Sequence, residues 1–231
     1  VLDVTIEYDR GADNKITSTY LNVALAAAGA TKTIGAGLRI VGIEKSAIGN
    51  ISFSGDKDQF QATLLNSMFS TGIENDMTIP LFGNAHRVFG VSSGTMVNTG
   101  KATAPVYTCK VKIEQNNAYQ QEDPIITKDN LDFFIAYKYK SMEKRVEVHL
   151  YEFWKYGATN AGTVQETNLE LAGNNTWAIC VPNFRYPNES INISNQKDNN
   201  DCAYPKFLDW ARNRNVSQDW YKYPNEGKVY R

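Results

Sequence analysis

The chain opens on an alternation. Leu2, Val4, Ile6 and Tyr8 fall on one side, and Asp3, Thr5 and Glu7 on the other. That is the period-2 signature of a half-buried strand. Gly11-Ala12-Asp13-Asn14 supplies turn chemistry. A second strand is predicted within Ile16 to Ala28. Its alanines favour helix, but Leu21, Val23, Leu25 and Ala27 alternate after a threonine-rich start. Leu38 to Ile43, Ile51 to Phe53 and Met77 to Phe82 read as further strands. Phe60, Leu64, Leu65, Met68 and Phe69 carry helical spacing, which predicts a short helix or an irregular crossover. Val91 to Pro105, rich in Ser, Gly, Thr and Ala, reads as a long loop.

Tyr107, Cys109, Val111 and Ile113 alternate with Thr108, Lys110, Lys112 and Glu114, which turns Cys109 toward the apolar side. The clearest hairpin follows. Leu131, Phe133, Ile135 and Tyr137 alternate with Asp132, Phe134, Ala136 and Lys138. Ser141 to Lys144 turns the chain. Val146, Val148 and Leu150 then alternate with Arg145, Glu147 and His149. After a loop at Gly157 to Gly162, Trp177, Ile179 and Val181 predict a strand closed by Pro182, and Ile191 with Ile193 another short one. The one good helix comes late. Tyr204, Phe207, Leu208 and Ala211 share a face of Ala203–Arg214, with Pro205 in the first turn. Asp219-Trp220-Tyr221 is expected to pack against the body, since an exposed Trp-Tyr pair is costly.

No repeat, heptad or linker divides the chain. Eight or more short strands and one late helix predict a mainly β fold. The expectation is a single antiparallel β-sandwich over residues 1–231, jelly-roll-like, with one short C-terminal helix. Trp177, Phe207 and Trp210 are expected to be mostly buried, with Trp177→Ala costing about 3–5 kcal/mol. The first residues already lie in a strand and no signal peptide precedes them, so the sequence reads as N-terminally trimmed.

Composition narrows the classes. The chain has 231 residues, 42% hydrophobic and 12% aromatic, with a net charge of -1. Those values exclude a disordered chain. The neutral balance argues against a nucleic-acid partner, which leaves a basic footprint. No apolar run approaches the roughly 18 residues of a membrane helix. Three cysteines, Cys109, Cys180 and Cys202, are too few for a disulfide scaffold and lack metal-ligand spacing. Whether Cys180 and Cys202 pair is left open.

The search for chemistry returns little. His149 sits among Arg145 and Glu147 and is expected to face solvent; His86 lies in a turn-like stretch. No nucleophile elbow, phosphate loop or zinc-helix motif occurs. No cofactor is expected. Asp198 and Asp201, in Lys197-Asp198-Asn199-Asn200-Asp201, resemble a cation loop in composition only; the EF-hand spacing is missing, and they stand as weak candidates for calcium. Tyr151, Phe153, Trp154 and Tyr156 cluster past the clear hairpin. They are candidate ligand-binding aromatics, because sugars stack on amphipathic rings. The competing reading is that they close one end of the core.

Several blocks carry a resemblance. Trp177-Ala178-Ile179-Cys180-Val181-Pro182, Phe184-Arg185-Tyr186-Pro187-Asn188-Glu189, Ala203-Tyr204-Pro205-Lys206-Phe207-Leu208-Asp209-Trp210-Ala211 and Asp219-Trp220-Tyr221 occur in that order. Upstream stand Val146-Glu147-Val148-His149-Leu150 and Phe82-Gly83-Asn84-Ala85-His86. The set resembles the LruC domain, a domain of unknown function in bacterial surface lipoproteins, frequent in gut Bacteroides. The family's Pro-Gly-Tyr after His-Leu is replaced by Tyr151-Glu152-Phe153, its Asp-rich N-terminal stretch is absent, and 195–202 looks like an insertion. The resemblance implies an all-β fold, secretion across the inner membrane, and a lipid anchor on the full-length protein that holds it in the periplasm or at the cell surface. It implies no activity.

The expected function is a non-enzymatic, monomeric surface module that binds glycan or a surface protein. A purely structural or adhesin-like domain is the second expectation. A glycan-processing enzyme is the third, and it needs two carboxylates roughly 5–10 Å apart in a cleft.

Overall fold

The computed structural model describes residues 1–29, 31–64, 76–98, 106–138, 145–150, 153, 179–188, 190–195 and 197–230. In chain order the elements are β1 (Leu2–Arg10), β2 (Ile16–Leu25), β3 (Ala27–Ala28), β4 (Ile34–Ile40), β5 (Ile48–Gly55), α1 (Lys57–Gln61), β6 (Met77–Phe82), α2 (Ala85–Val88), β7 (Val97–Asn98), β8 (Tyr107–Gln115), β9 (Leu131–Lys138), β10 (Arg145–Val148), β11 (Tyr186–Pro187), α3 (Phe207–Arg212) and β12 (Val229–Tyr230).

Two four-stranded antiparallel sheets dominate. One runs β1-β2-β8-β5, the other β10-β9-β4-β6. Their facing sides share one core. Leu21, Val23, Val111 and Ile113 from the first sheet join Leu38, Ile40, Ile79, Leu81 and Leu131 from the second. Alternation is the cause: every second side chain of each strand points between the sheets and is shielded from water. Burying each such side chain stabilises the fold by about 1.5–3 kcal/mol. Cys109 sits in this core, 1% exposed, as its place in the alternation predicts. Mainly β and antiparallel, the fold is the expected sandwich.

The outer face of the first sheet stays polar and solvated. Tyr20 donates to Asp9 Oδ2 at 2.7 Å, Lys110 Nζ lies 3.4 Å from Glu7 Oε2, and Lys112 Nζ 2.7 Å from Glu114 Oε1. Each of these side chains alternates with a core residue on the same strand.

The C-terminal part forms a second, aromatic cluster. Trp220, 1% exposed, is its hub. Phe207, Tyr204, Trp210 and Phe184 surround it with ring centroids 4.8, 5.1, 5.5 and 5.9 Å away. The short ribbon β11–β12 brings Tyr186 and Tyr230 against Ala26 at the end of β2. The Tyr186 hydroxyl donates to Asp3 on β1.

Several expectations need correction. The strand expected from Leu38 to Ile43 runs Ile34–Ile40, through Gly35 and Gly37. The late helix spans only Phe207–Arg212, and α1 and α2 are two further short helices. Helical spacing at Phe60 is realised by α1, which buries Phe60 edge-on to Phe82 at 5.5 Å. Residues 65–69 lie outside the described set. Residues 179–181 and 191–193 are not strands. Ile179, Val181, Ile191 and Ile193 pack on the aromatic cluster from irregular backbone instead. Phe207 is buried but Trp210 only partly so. Trp177 and the 141–144 turn lie outside the described residues.

Candidate functional site

The charged groups with the most chemistry lie on the outer face of the second sheet. That face is buried. A turn at Lys128–Asn130 sets the start of β9: the Thr127 hydroxyl accepts from Asp129 N, and the Asn130 side chain accepts from Thr127 N. This capping box fixes the register that pairs Asp132 with Arg39 of β4. Glu147 on β10 pairs with Ala136 of β9, and His149 follows two residues later. Arg39, Asp132, Glu147 and His149 thereby converge, each 2% exposed or less.

His149 is the centre. Its Nδ1 donates to Asp132 Oδ2 at 2.5 Å. Its Nε2 lies 3.2 Å from Glu147 Oε2, close enough for the charges to couple although misaligned for a hydrogen bond. Arg39 Nη2 donates to the same Glu147 oxygen at 3.1 Å, and Arg39 Nε to Thr78 Oγ1 at 3.2 Å. Asp132 Oδ1 accepts from Leu150 N at 3.3 Å. Burial by itself would lower the His149 pKa. The hydrogen bond to Asp132 and the Glu147 carboxylate 3.2 Å away outweigh it and leave that pKa raised. With the imidazole protonated, two cations face two carboxylates and the buried set is neutral.

Phe134 completes the cluster. Its ring stacks on the imidazole at 4.8 Å and 26°, and the Arg39 guanidinium lies 4.8 Å from its centroid. Gly37 makes room for it: a Cβ there would stand 2.8 Å from Phe134 Cζ. The expectation of a solvent-facing His149 is therefore overturned. Alternation put it on the right face, but that face is covered.

An Asp–His pair is the geometry of an oriented general base. A base must reach a proton on a substrate, and this imidazole is 0% exposed. Its two neighbouring carboxylates are committed to it and to Arg39. The arrangement orders charge inside the fold. His86 is likewise buried, 1% exposed, with Nε2 3.1 Å from the Thr95 carbonyl.

An open depression lies elsewhere, at the C-terminal cluster. Pro182, Asn183, Arg185, Tyr221, Lys222, Pro224 and Glu226 line a cavity of about 430 Å³. Trp220, Tyr221 and Lys222 form a single 3-10 turn, and Trp220 holds the Tyr221 ring edge-on at 6.0 Å and 88°. Arg185 and Glu226 pair bidentately, Nη1 to Oε1 at 2.8 Å and Nη2 to Oε2 at 3.1 Å. That pairing lowers the Glu226 pKa and raises that of Arg185.

Of the aromatics proposed from sequence, Phe153 is buried, 6% exposed, against Val41 and Leu150. It closes core rather than offering a stacking face. Tyr151, Trp154 and Tyr156 lie outside the described residues. Asp198 Oδ1 accepts from Asn200 N, and Asp201 Oδ1 lies 3.1 Å from Lys228 Nζ. Cys109 and Cys202 are buried free thiols.

Sequence reading missed Arg39 as a member of the His149 cluster because it lies 110 residues away in the chain. It missed the depression because its walls come from 182–185 and 221–226. One signal was present. Phe134 and Ala136 alternate in phase with Asp132, and a solvated face rarely spends a phenylalanine there.

Residues 14–221 match the model of a domain of unknown function, DUF4842. The chain belongs to that family. Neither the curated proteins nor the solved structures contain a match.

Proposed function

We propose that this member of the DUF4842 family is a non-enzymatic cell-envelope module that binds a glycan or another surface partner. One contrast carries the reading. The groups suited to proton transfer, His149, Asp132 and Glu147, are sealed in the fold and committed to each other. The groups suited to holding a ligand, Tyr221, Asn183 and Lys222, line an open depression. Sugar sites are commonly concave, with an aromatic ring and a few placed polar groups. The envelope address, with secretion and a lipid anchor on the full-length protein, rests on the resemblance of the 82–86, 146–150 and C-terminal blocks to surface lipoprotein domains.

Glycan-array binding, run with calcium and again with chelator, tests this. Binding in both buffers is expected, because the depression is lined by one carboxylate, already paired with Arg185. No binding to any glycan, mucin or matrix protein would overturn the reading.

One observation favours a structural role as the second reading. β1 is an edge strand of nine residues, and among the described residues no strand pairs with its other side. Such an edge can accept a strand from another chain. Concentration-dependent assembly by light scattering, lost when Ile6 is replaced by Pro, would support that role. A monomer at every concentration would remove it.

A further inference from the structure

The depression at the C-terminal cluster carries a specificity of its own, which rests on the glycan-binding reading above. Among its lining residues are two cations, Arg185 and Lys222, and one anion, Glu226. The fork-to-fork pairing of Arg185 with Glu226 cancels one cation and leaves a flat polar wall. Lys222 supplies the remaining charge. It is exposed, and its ammonium stands 6.0 Å from the centroid of the Tyr221 ring. Tyr221 is partly buried and packs at right angles on Trp220, which is itself 1% exposed, so the ring has a fixed neighbour before any ligand arrives. A ring fixed in advance loses little entropy on binding. Pro182 and Pro224 stiffen the rim, and Asn183 sits in a left-handed turn with φ 50°. The volume, about 430 Å³, falls within the range of small-ligand sites.

We infer that this depression is a site for an acidic glycan, a hexuronate-containing chain. The apolar face of a pyranose stacks on Tyr221, its carboxylate pairs with Lys222, and its hydroxyls meet the Asn183 amide and the outer edges of the Arg185–Glu226 pair. A neutral sugar leaves Lys222 unused. A bare phosphate or sulfate leaves Tyr221 unused. The combination of ring and an ammonium with no carboxylate partner among the described residues selects a ligand that has both a sugar face and a negative charge.

The test is isothermal titration of the chain with polygalacturonate and with neutral dextran, at low and at high salt. Polygalacturonate is expected to bind and to weaken as salt rises. Lys222→Gln, an exposed change, is expected to weaken polygalacturonate about tenfold, the size of one charge-assisted hydrogen bond. Tyr221→Phe should retain binding and Tyr221→Ala should lose it; a melting curve checks that each variant is folded, and Lys222→Gln decides alone if Tyr221→Ala is not. Polygalacturonate binding indifferent to Lys222→Gln would overturn the site. Binding of dextran as tightly as polygalacturonate would overturn the acidic specificity and leave the glycan-binding reading standing. Failure to bind any glycan would overturn both.

Discussion

The outer faces of the two sheets invite comparison. Both carry charged residues at positions that alternate with core residues. On the first sheet, Glu7, Lys110, Lys112 and Glu114 lie at 3.4 and 2.7 Å in pairs open to water. On the second, Arg39, Asp132, Glu147 and His149 are at most 2% exposed. Water screens the first set, and each pair there contributes little. The second set has lost its hydration, a cost of several kcal/mol per ion that only mutual bonding offsets. The same pattern of residue types therefore yields a tolerant surface in one place and an interdependent interior in the other. The lesson is that neutrality, which the first face can ignore, governs the second.

The largest expected effect is at the buried set. Asp132→Ala strands an imidazole beside Arg39 and should cost about 3–5 kcal/mol in urea unfolding. A loss below about 1 kcal/mol would show that water reaches this face. Next comes Gly37→Ala. Its Cβ would sit 2.8 Å from Phe134 Cζ, and overpacking of this kind costs about 1–3 kcal/mol. Phe134→Leu in the same chain should recover part of it, which a double-mutant cycle reads directly.

The pH dependence follows from His149. Its pKa is raised in the folded protein, set by Asp132 and Glu147 against burial. A raised group stabilises fully below its unfolded value, about 6.5, and that contribution fades as pH rises through the folded value. Melting temperatures measured upward from about pH 6.5 should therefore decline. His149→Gln should remove that slope, and an unchanged slope would assign it to another group. The smallest effect belongs to the solvated face: Lys110→Ala should change stability by less than about 1 kcal/mol, and a larger loss there would erase the contrast between the faces.

How much of this was legible in the sequence divides along the same line. Period-2 alternation located β1, β2, β6, β8 and the β9–β10 pairing, because each core strand must hide every second side chain. It also placed Glu147 and His149 together on one face. Alternation records which residues share a face; it carries no information on what lies over that face. That is why His149 was expected in solvent. The C-terminal third was harder for a different reason. β11 and β12 have two residues each, too few for any period to register. Ile179, Val181, Ile191 and Ile193 alternate like strands yet serve as packing knobs on Trp220's cluster. The depression lined by Tyr221 and Lys222 joins two stretches some 40 residues apart, and no local pattern announces such a meeting.

The bond from the Tyr186 hydroxyl to Asp3 has a consequence for the order of folding. It joins positions 183 residues apart, and the ribbon that carries Tyr186 closes only when Val229 and Tyr230 pair with it. During synthesis the sandwich strands leave the ribosome first, but the end of β2 at Ala26 stays without its aromatic cover until Tyr186 and Tyr230 emerge. Contacts of such long range form late and slowly. The β11–β12 ribbon is thus the latch that closes over the end of β2.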